Sequence, residues 1–163
     1  MPFHRRRFDR QPTDQSEVLL ASDGRRDFSK RAVAQAAALA GSGTVAVVTI
    51  AKIHGTQFGI PHPGLLPNKE ELAERHKSVE RAIKDLRRRG IEADGQVAAT
   101  RKARKKIVTV ARVRGVKAVV IDETYAKGLR RIIEGDLGAE LRRSLRKDGI
   151  EVHIVPTGTP ETG

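Results

Sequence analysis

The feature that most constrains this chain is an alternation. Five apolar runs, EVLLAS at 17–22, TVAVVTI at 44–50, IEADGQVAA at 91–99, VKAVVI at 116–121 and EVHIV at 151–155, are separated by stretches with helical spacing. Strands divided by helices pair in parallel through right-handed crossovers. Runs with few polar residues are covered on both faces. The expected fold is therefore α/β: a single doubly wound, five-stranded parallel sheet with helices on both faces.

The intervening segments carry their own signals. Phe28 to Ala40 reads as a helix, with Asp27 or Ser29 placed to cap it. Its small face of Ala32, Ala36 and Leu39 permits close approach to a sheet, and Gly41-Ser42-Gly43 stops it. Residues 51–67 form a long loop. Asn68 can cap the next helix with Glu71 as its capping-box partner. That helix reaches Arg89, with Leu72, Val79, Ile83 and Leu86 on one stripe. Ala103–Arg114 is a helix with Ile107, Val110 and Ala111 on one side, and Leu137–Lys147 is the last helix. Residues 1–15 read as a disordered basic arm, 16–157 as the α/β domain and 158–163 as a disordered tail.

Composition excludes several classes. With no cysteine there is no disulfide, thiolate metal site or cysteine nucleophile. No apolar run approaches the roughly 20 residues of a membrane span. The N-terminus is basic but lacks the apolar core of a secretory signal, so the expected location is cytoplasmic. The formal charge of +12 favours polyanionic partners, although solvated helix faces account for the same charge.

The segment 116–145 indicates where a ligand would sit, because ligands of open α/β sheets bind where a strand's carboxyl end meets the next helix. The strand closes on Asp122 and Glu123, and Gly128 and Gly135 follow in the turn. Asp122, Glu123 and Asp136 read either as metal ligands or as caps and loop charges, and Asp136 stands where the cap of the last helix belongs. Arg101, Lys102, Arg104, Lys105 and Lys106 form the densest basic cluster. They crowd a helix start, where the dipole disfavours cations by roughly 0.3–1 kcal/mol each. Phosphate contact is one reading of that placement; a solvated face is the other. With one Tyr, four Phe and no Trp, base stacking would contribute little. His4, His54, His62, His76 and His153 have no zinc-type spacing, and neither a Walker loop nor a nucleophile elbow is present.

The stretch VLLASDGRRDFSKRAVAQAAALA resembles the opening of a universal stress protein domain, with Asp23, Gly24, Ser29 and Ala32 at the matching points. The closing strand, glycine-bearing loop, helix and final strand are similar too, so the likeness covers roughly residues 16–157. The resemblance implies a doubly wound five-stranded sheet and a homodimer paired through the last strand, here Val152, Ile154 and Val155. It also implies an adenine nucleotide as the possible ligand and no ordinary enzymatic activity. Members that bind ATP carry a loop of Gly, two residues, Gly, nine residues, Gly, then Ser or Thr. Laid on this chain, those positions fall at Asp122, Tyr125, Gly135 and Asp136, so one of the four matches. Asp23, which helps hold the adenosine side in such members, is present.

That departure has a physical consequence. A phosphate cradle presents backbone N–H groups through glycines. Acidic residues there oppose a triphosphate, since a like-charge pair at about 4 Å costs roughly 4 kcal/mol at an effective dielectric of about 20. A magnesium ion, or Lys127, Arg130 and Arg131, would offset part of it. The expectation is a universal-stress-type, non-enzymatic, stress-response or regulatory homodimer with a degenerate nucleotide site. The alternative is a basic accessory module binding RNA, DNA or the ribosome through residues 101–106. A nucleotide hydrolase of related architecture lacks an identifiable base or nucleophile.

Overall fold

The computed structural model describes residues 15–52, 69–123 and 136–156. In chain order these form β1 (Val18–Ser22), α1 (Lys30–Ala40), β2 (Thr44–Lys52), α2 (Lys69–Arg88), β3 (Glu92–Thr100), α3 (Ala103–Arg114), β4 (Ala118–Asp122), α4 (Leu137–Arg146) and β5 (Glu151–Val155). Residues 1–14, most of the expected loop, Asn68 and the tail lie outside the described residues.

The five strands make one sheet in the order β3-β2-β1-β4-β5. Every neighbouring pair is parallel, with Leu20 of β1 level with Val47 of β2 and Val120 of β4. The expected fold class is the observed one. Alternate residues of a strand face opposite sides, and the sheet therefore feeds two cores. Leu19, Ala21, Val119 and Ile121 pack with Ile107 and Ala111 of α3 and Leu141 and Leu145 of α4. Val18, Leu20 and Val120 pack with Ala32 and Ala36 of α1 and Val79, Ile83 and Leu86 of α2. No described helix is long and apolar enough to cross a membrane.

Element ends shift from the sequence expectation where a specific bond decides them. α1 begins at Lys30 rather than Phe28, because Ser29 is its cap and accepts from Ala32 N through its Oγ at 3.0 Å. Phe28 stays outside the helix and packs on the same core as Val33, the arrangement of a hydrophobic staple. β4 begins at Ala118 rather than Val116: Lys117 N bonds Glu17 O at 2.9 Å, ahead of the ladder. Leu39, expected on the buried face of α1, is partly exposed, while Val33 and Ala40 are buried.

The helices approach closely where side chains are absent. A Cβ on Gly95 of β3 would stand 2.4 Å from Val79 Cγ1 of α2, and one on Gly138 of α4 would stand 2.7 Å from Ile154 Cδ1 of β5. At the opposite end of the sheet from the crevice described below, a buried ion pair ties α3 to β3. Arg114 Nη2 donates to Asp94 Oδ1 and Oδ2 at 2.8 and 2.7 Å and to Ser16 Oγ at 2.7 Å. Both charged residues are over nine-tenths buried.

Candidate functional site

The strand order reverses between β1 and β4, so the crevice of this sheet opens at their carboxyl ends. β1 leads into the turn 23–28. Ser22 Oγ accepts from Gly24 N at 3.0 Å, and Asp23 Oδ1 accepts from Arg25 N at 3.0 Å. Gly24 has φ +87°, and a Cβ there would stand 1.8 Å from the carbonyl oxygen of Ile50. Glycine is thus required on two counts, conformation and space. Arg75 of α2 donates to Gly24 O from above. Beside it, Asp27 pairs with Arg81 at 2.7 Å.

The turn delivers Ser29 to the end of β4, where it meets Asp122. Asp122 Oδ2 accepts from Ser29 N at 3.0 Å, and Asp122 Oδ1 accepts from Ser29 Oγ at 2.5 Å. One carboxylate therefore engages two donors at the N-terminus of α1. Helix N-termini offer unpaired N–H groups and a partial positive charge, which makes them anion sites. In this chain the anion is already supplied, by a side chain.

Each sequence-derived site residue can now be placed. Asp23 is at the crevice mouth, where it shapes its own turn and pairs with Arg25 at 3.5 Å. Asp122 is in the crevice and acts on α1. Asp136 caps α4, its Oδ1 accepting from Ala139 N at 3.3 Å, so the capping reading describes it. Glu123 is exposed, and its N–H donates to Val155 O at 2.8 Å. Tyr125 and Gly135 lie outside the described residues, as do Gly128, Lys127, Arg130 and Arg131. Among the described residues no group of three or more His, Asp or Glu side chains is arranged to hold a metal ion.

The basic cluster stands at the start of α3. Arg101, Lys102, Arg104 and Lys105 are exposed and Lys106 is half-buried. Lys102 occupies the cap position without a side-chain bond to the helix, and the first turn holds no acidic residue. Arg104 turns toward α4, 3.3 Å from Ser144 Oγ and 3.9 Å from Glu140. Arg101, Lys102 and Lys105 are exposed at a helix start whose first turn carries no acidic residue.

β5 is an edge strand. Val152 and Val155 are buried on opposite faces of the sheet and Ile154 packs partly on one core, so these side chains serve the monomer. What the edge turns outward is backbone, with Val152 O accepting from Arg142 Nη2 at 2.9 Å. Glu151 N bonds Lys117 O, and Val155 O accepts from Glu123 N. By alternation the polar backbone groups of Val152 and Ile154 point away from the sheet.

Two of these features had no local signal. The Ser29–Asp122 contact joins residues 93 apart in sequence. Asp94 and Arg114 are 20 residues apart, and nothing near Asp94 in sequence names Arg114 as its partner.

Sheet order, crevice and edge define a doubly wound α/β fold of the universal stress type. No family model and no curated protein matches the chain in sequence. Solved structures match it in fold. A universal stress protein from Archaeoglobus fulgidus superposes with a TM-score of 0.59 at 17% identity, over 86% of this chain and 94% of its own. A universal stress protein in complex with cAMP gives 0.60 at 16% identity, over 89% of this chain and 100% of its own. The Archaeoglobus fulgidus universal stress protein in complex with dAMP gives 0.54 at 20% identity, over 85% and 96%.

Proposed function

We propose that this chain is a universal-stress-type protein that works without catalysis, in a stress-response or regulatory role, with a nucleotide site rebuilt so that ATP is held weakly. The observation carrying this is the Asp122 carboxylate on the N-terminus of α1. It occupies two donors at that helix end and adds a negative charge where a triphosphate would bring more. Proteins of this fold have been solved with dAMP and cAMP. For this chain an adenine nucleotide is the candidate ligand, and affinity falls with each added phosphate charge. Asp23 is the candidate contact on the nucleoside side, and Gly135, outside the described residues, is the matching loop position. Two copies pair along the β5 edge through the outward backbone groups of Val152 and Ile154, with Arg142 leaving Val152 O and Val155 at the strand's end.

Purified protein, denatured and extracted, should yield no stoichiometric ATP by mass spectrometry, and calorimetry should rank AMP above ATP. Near-stoichiometric ATP in the extract would sink the proposal. Light scattering at micromolar concentration should report a dimer.

A second reading draws on the start of α3. Arg101, Lys102, Arg104, Lys105 and Lys106 gather cations at an uncapped helix N-terminus with no acidic residue in its first turn. That placement is locally unfavourable and suits contact with nucleic-acid phosphates. Binding of an RNA or DNA oligomer should weaken steeply with salt, with a slope that flattens when these five residues become Ala. An unchanged slope removes this reading.

A further inference from the structure

The β5 edge borders a groove of about 1020 Å³ between α1 and α4. Its floor is the strand, and its rims are basic: Arg31 on one side, Arg142 and Arg146 on the other. All three arginines are exposed. The α1 side also carries His153, which pairs with Glu151 at 3.2 Å. Arg142 Nη2 donates to Val152 O at 2.9 Å and so occupies one of the outward carbonyls of the edge.

We propose that this groove takes an acidic, extended segment of a partner protein, added as a sixth strand beside β5. Strand addition draws affinity from backbone bonds and specificity from pockets for alternate side chains. Here the backbone bonds come from Val152 and Ile154. Successive side chains of an added strand point to opposite faces, which brings one set of carboxylates to Arg31 and the other to Arg142 and Arg146. Arginine binds a carboxylate more strongly than a neutral carbonyl. An arriving carboxylate would therefore draw Arg142 off Val152 O and release that carbonyl to the incoming strand.

The same charges decide between occupants. This edge is the one assigned above to a second copy, and the two occupants compete for it. A second copy brings its own Arg31, Arg142 and Arg146 to the seam. Its Glu151 faces the α1 side, away from Arg142. Like charges meet, and Arg142 gains no carboxylate in exchange for the carbonyl it leaves. An acidic strand makes the opposite balance.

The test uses the full chain and a fluorescein-labelled extended peptide rich in Glu and Val, read by fluorescence anisotropy. The control peptide has the same sequence with alternate backbone amides methylated, which keeps the charge and removes the donors. The unmodified peptide should bind about tenfold or more tightly than the control. Arg142→Gln with Arg146→Gln should weaken it by about tenfold or more, while Ala at residues 101–106 leaves it unchanged. In sedimentation, the peptide should convert any dimer to a one-to-one complex. Equal binding of the two peptides, loss through 101–106 instead of the groove, or a dimer that the peptide fails to dissociate would each overturn the inference. A chain that is monomeric without peptide overturns the homodimer reading alone, and the anisotropy result still decides this one.

Discussion

Replacing Asp122 by Asn removes one negative charge from the crevice and keeps the side chain's shape. In the parent chain the carboxylate accepts from Ser29 N and Ser29 Oγ at 3.0 and 2.5 Å. An amide oxygen can keep the first bond, but the pair loses its charge assistance and the helix end loses its counter-charge. A charge at a helix terminus contributes about 0.3–1 kcal/mol when exposed and up to about 2 when partly buried. Asp122→Asn should therefore destabilise the fold by about 1–2 kcal/mol. Urea unfolding followed by far-ultraviolet circular dichroism reads this directly; with no Trp in the chain, fluorescence does not serve. ATP affinity should move the other way. A phosphate charge about 8 Å from the carboxylate is opposed by about 2 kcal/mol at an effective dielectric of about 20, which corresponds to about thirtyfold in affinity. Calorimetry should show Asp122→Asn binding ATP about ten- to thirtyfold more tightly, with a smaller gain for AMP. Lower stability with unchanged ATP affinity would refute the idea that this carboxylate guards the crevice and leave it as a cap.

Three further predictions follow from the same contacts. Asp94→Ala leaves Arg114 charged and buried and should cost about 3–5 kcal/mol, whereas Asp94→Leu with Arg114→Met should recover most of that loss in the same unfolding assay. Gly24→Ala must place a Cβ against Ile50 O in a left-handed conformation, and should lower stability by about 2 kcal/mol or more; a Tm within a degree or two of the parent would contradict the turn geometry. For Asp27, burial pushes its carboxyl up, but the bond and charge of Arg81, with Arg75 beyond, outweigh that and hold it below the usual value of 3.8. A depressed carboxylate contributes stability above its unfolded pKa and loses it as the pH falls through the folded one. The contribution should therefore be complete above pH 3.8 and fade below it. Because the pair is exposed, its size should stay under about 1 kcal/mol, and Asp27→Asn should remove that part of the acid limb from an unfolding series.

Local chemistry was legible wherever an element carried its own signal. Asp136 was recognisable as a cap and Asp27 or Ser29 as the cap of α1, because N-cap side chains bond two or three residues ahead; the structure selects Ser29. Val79, Ile83 and Leu86 were recognisable as core because helical spacing repeats along one face. The strands were visible as apolar runs, and their boundaries moved by a residue or two where ladder bonds began. The crevice was legible as a place, since the end of β4 was visible, but its content was not. In sequence Asp122 read as an obstacle to phosphate, a metal ligand, or a cap or loop charge. In the structure it is bound to Ser29, a residue 93 positions away. β5 was legible as a strand, but that Val152 and Val155 pack on the two opposite cores was not.

By itself the sequence determined the elements, their order and thus the class of sheet, because apolar periodicity, caps and glycine stops act over a few residues. The tertiary structure alone decided which ends meet. Placing β1 between β2 and β4 sets α1 beside the end of β4, and that adjacency brings Asp122 to Ser29. Leaving β5 at the edge with α1 and α4 on either side is what gathers Arg31, Arg142 and Arg146 around one open strand. No short-range pattern records such meetings, since they depend on strand order rather than on neighbouring residues.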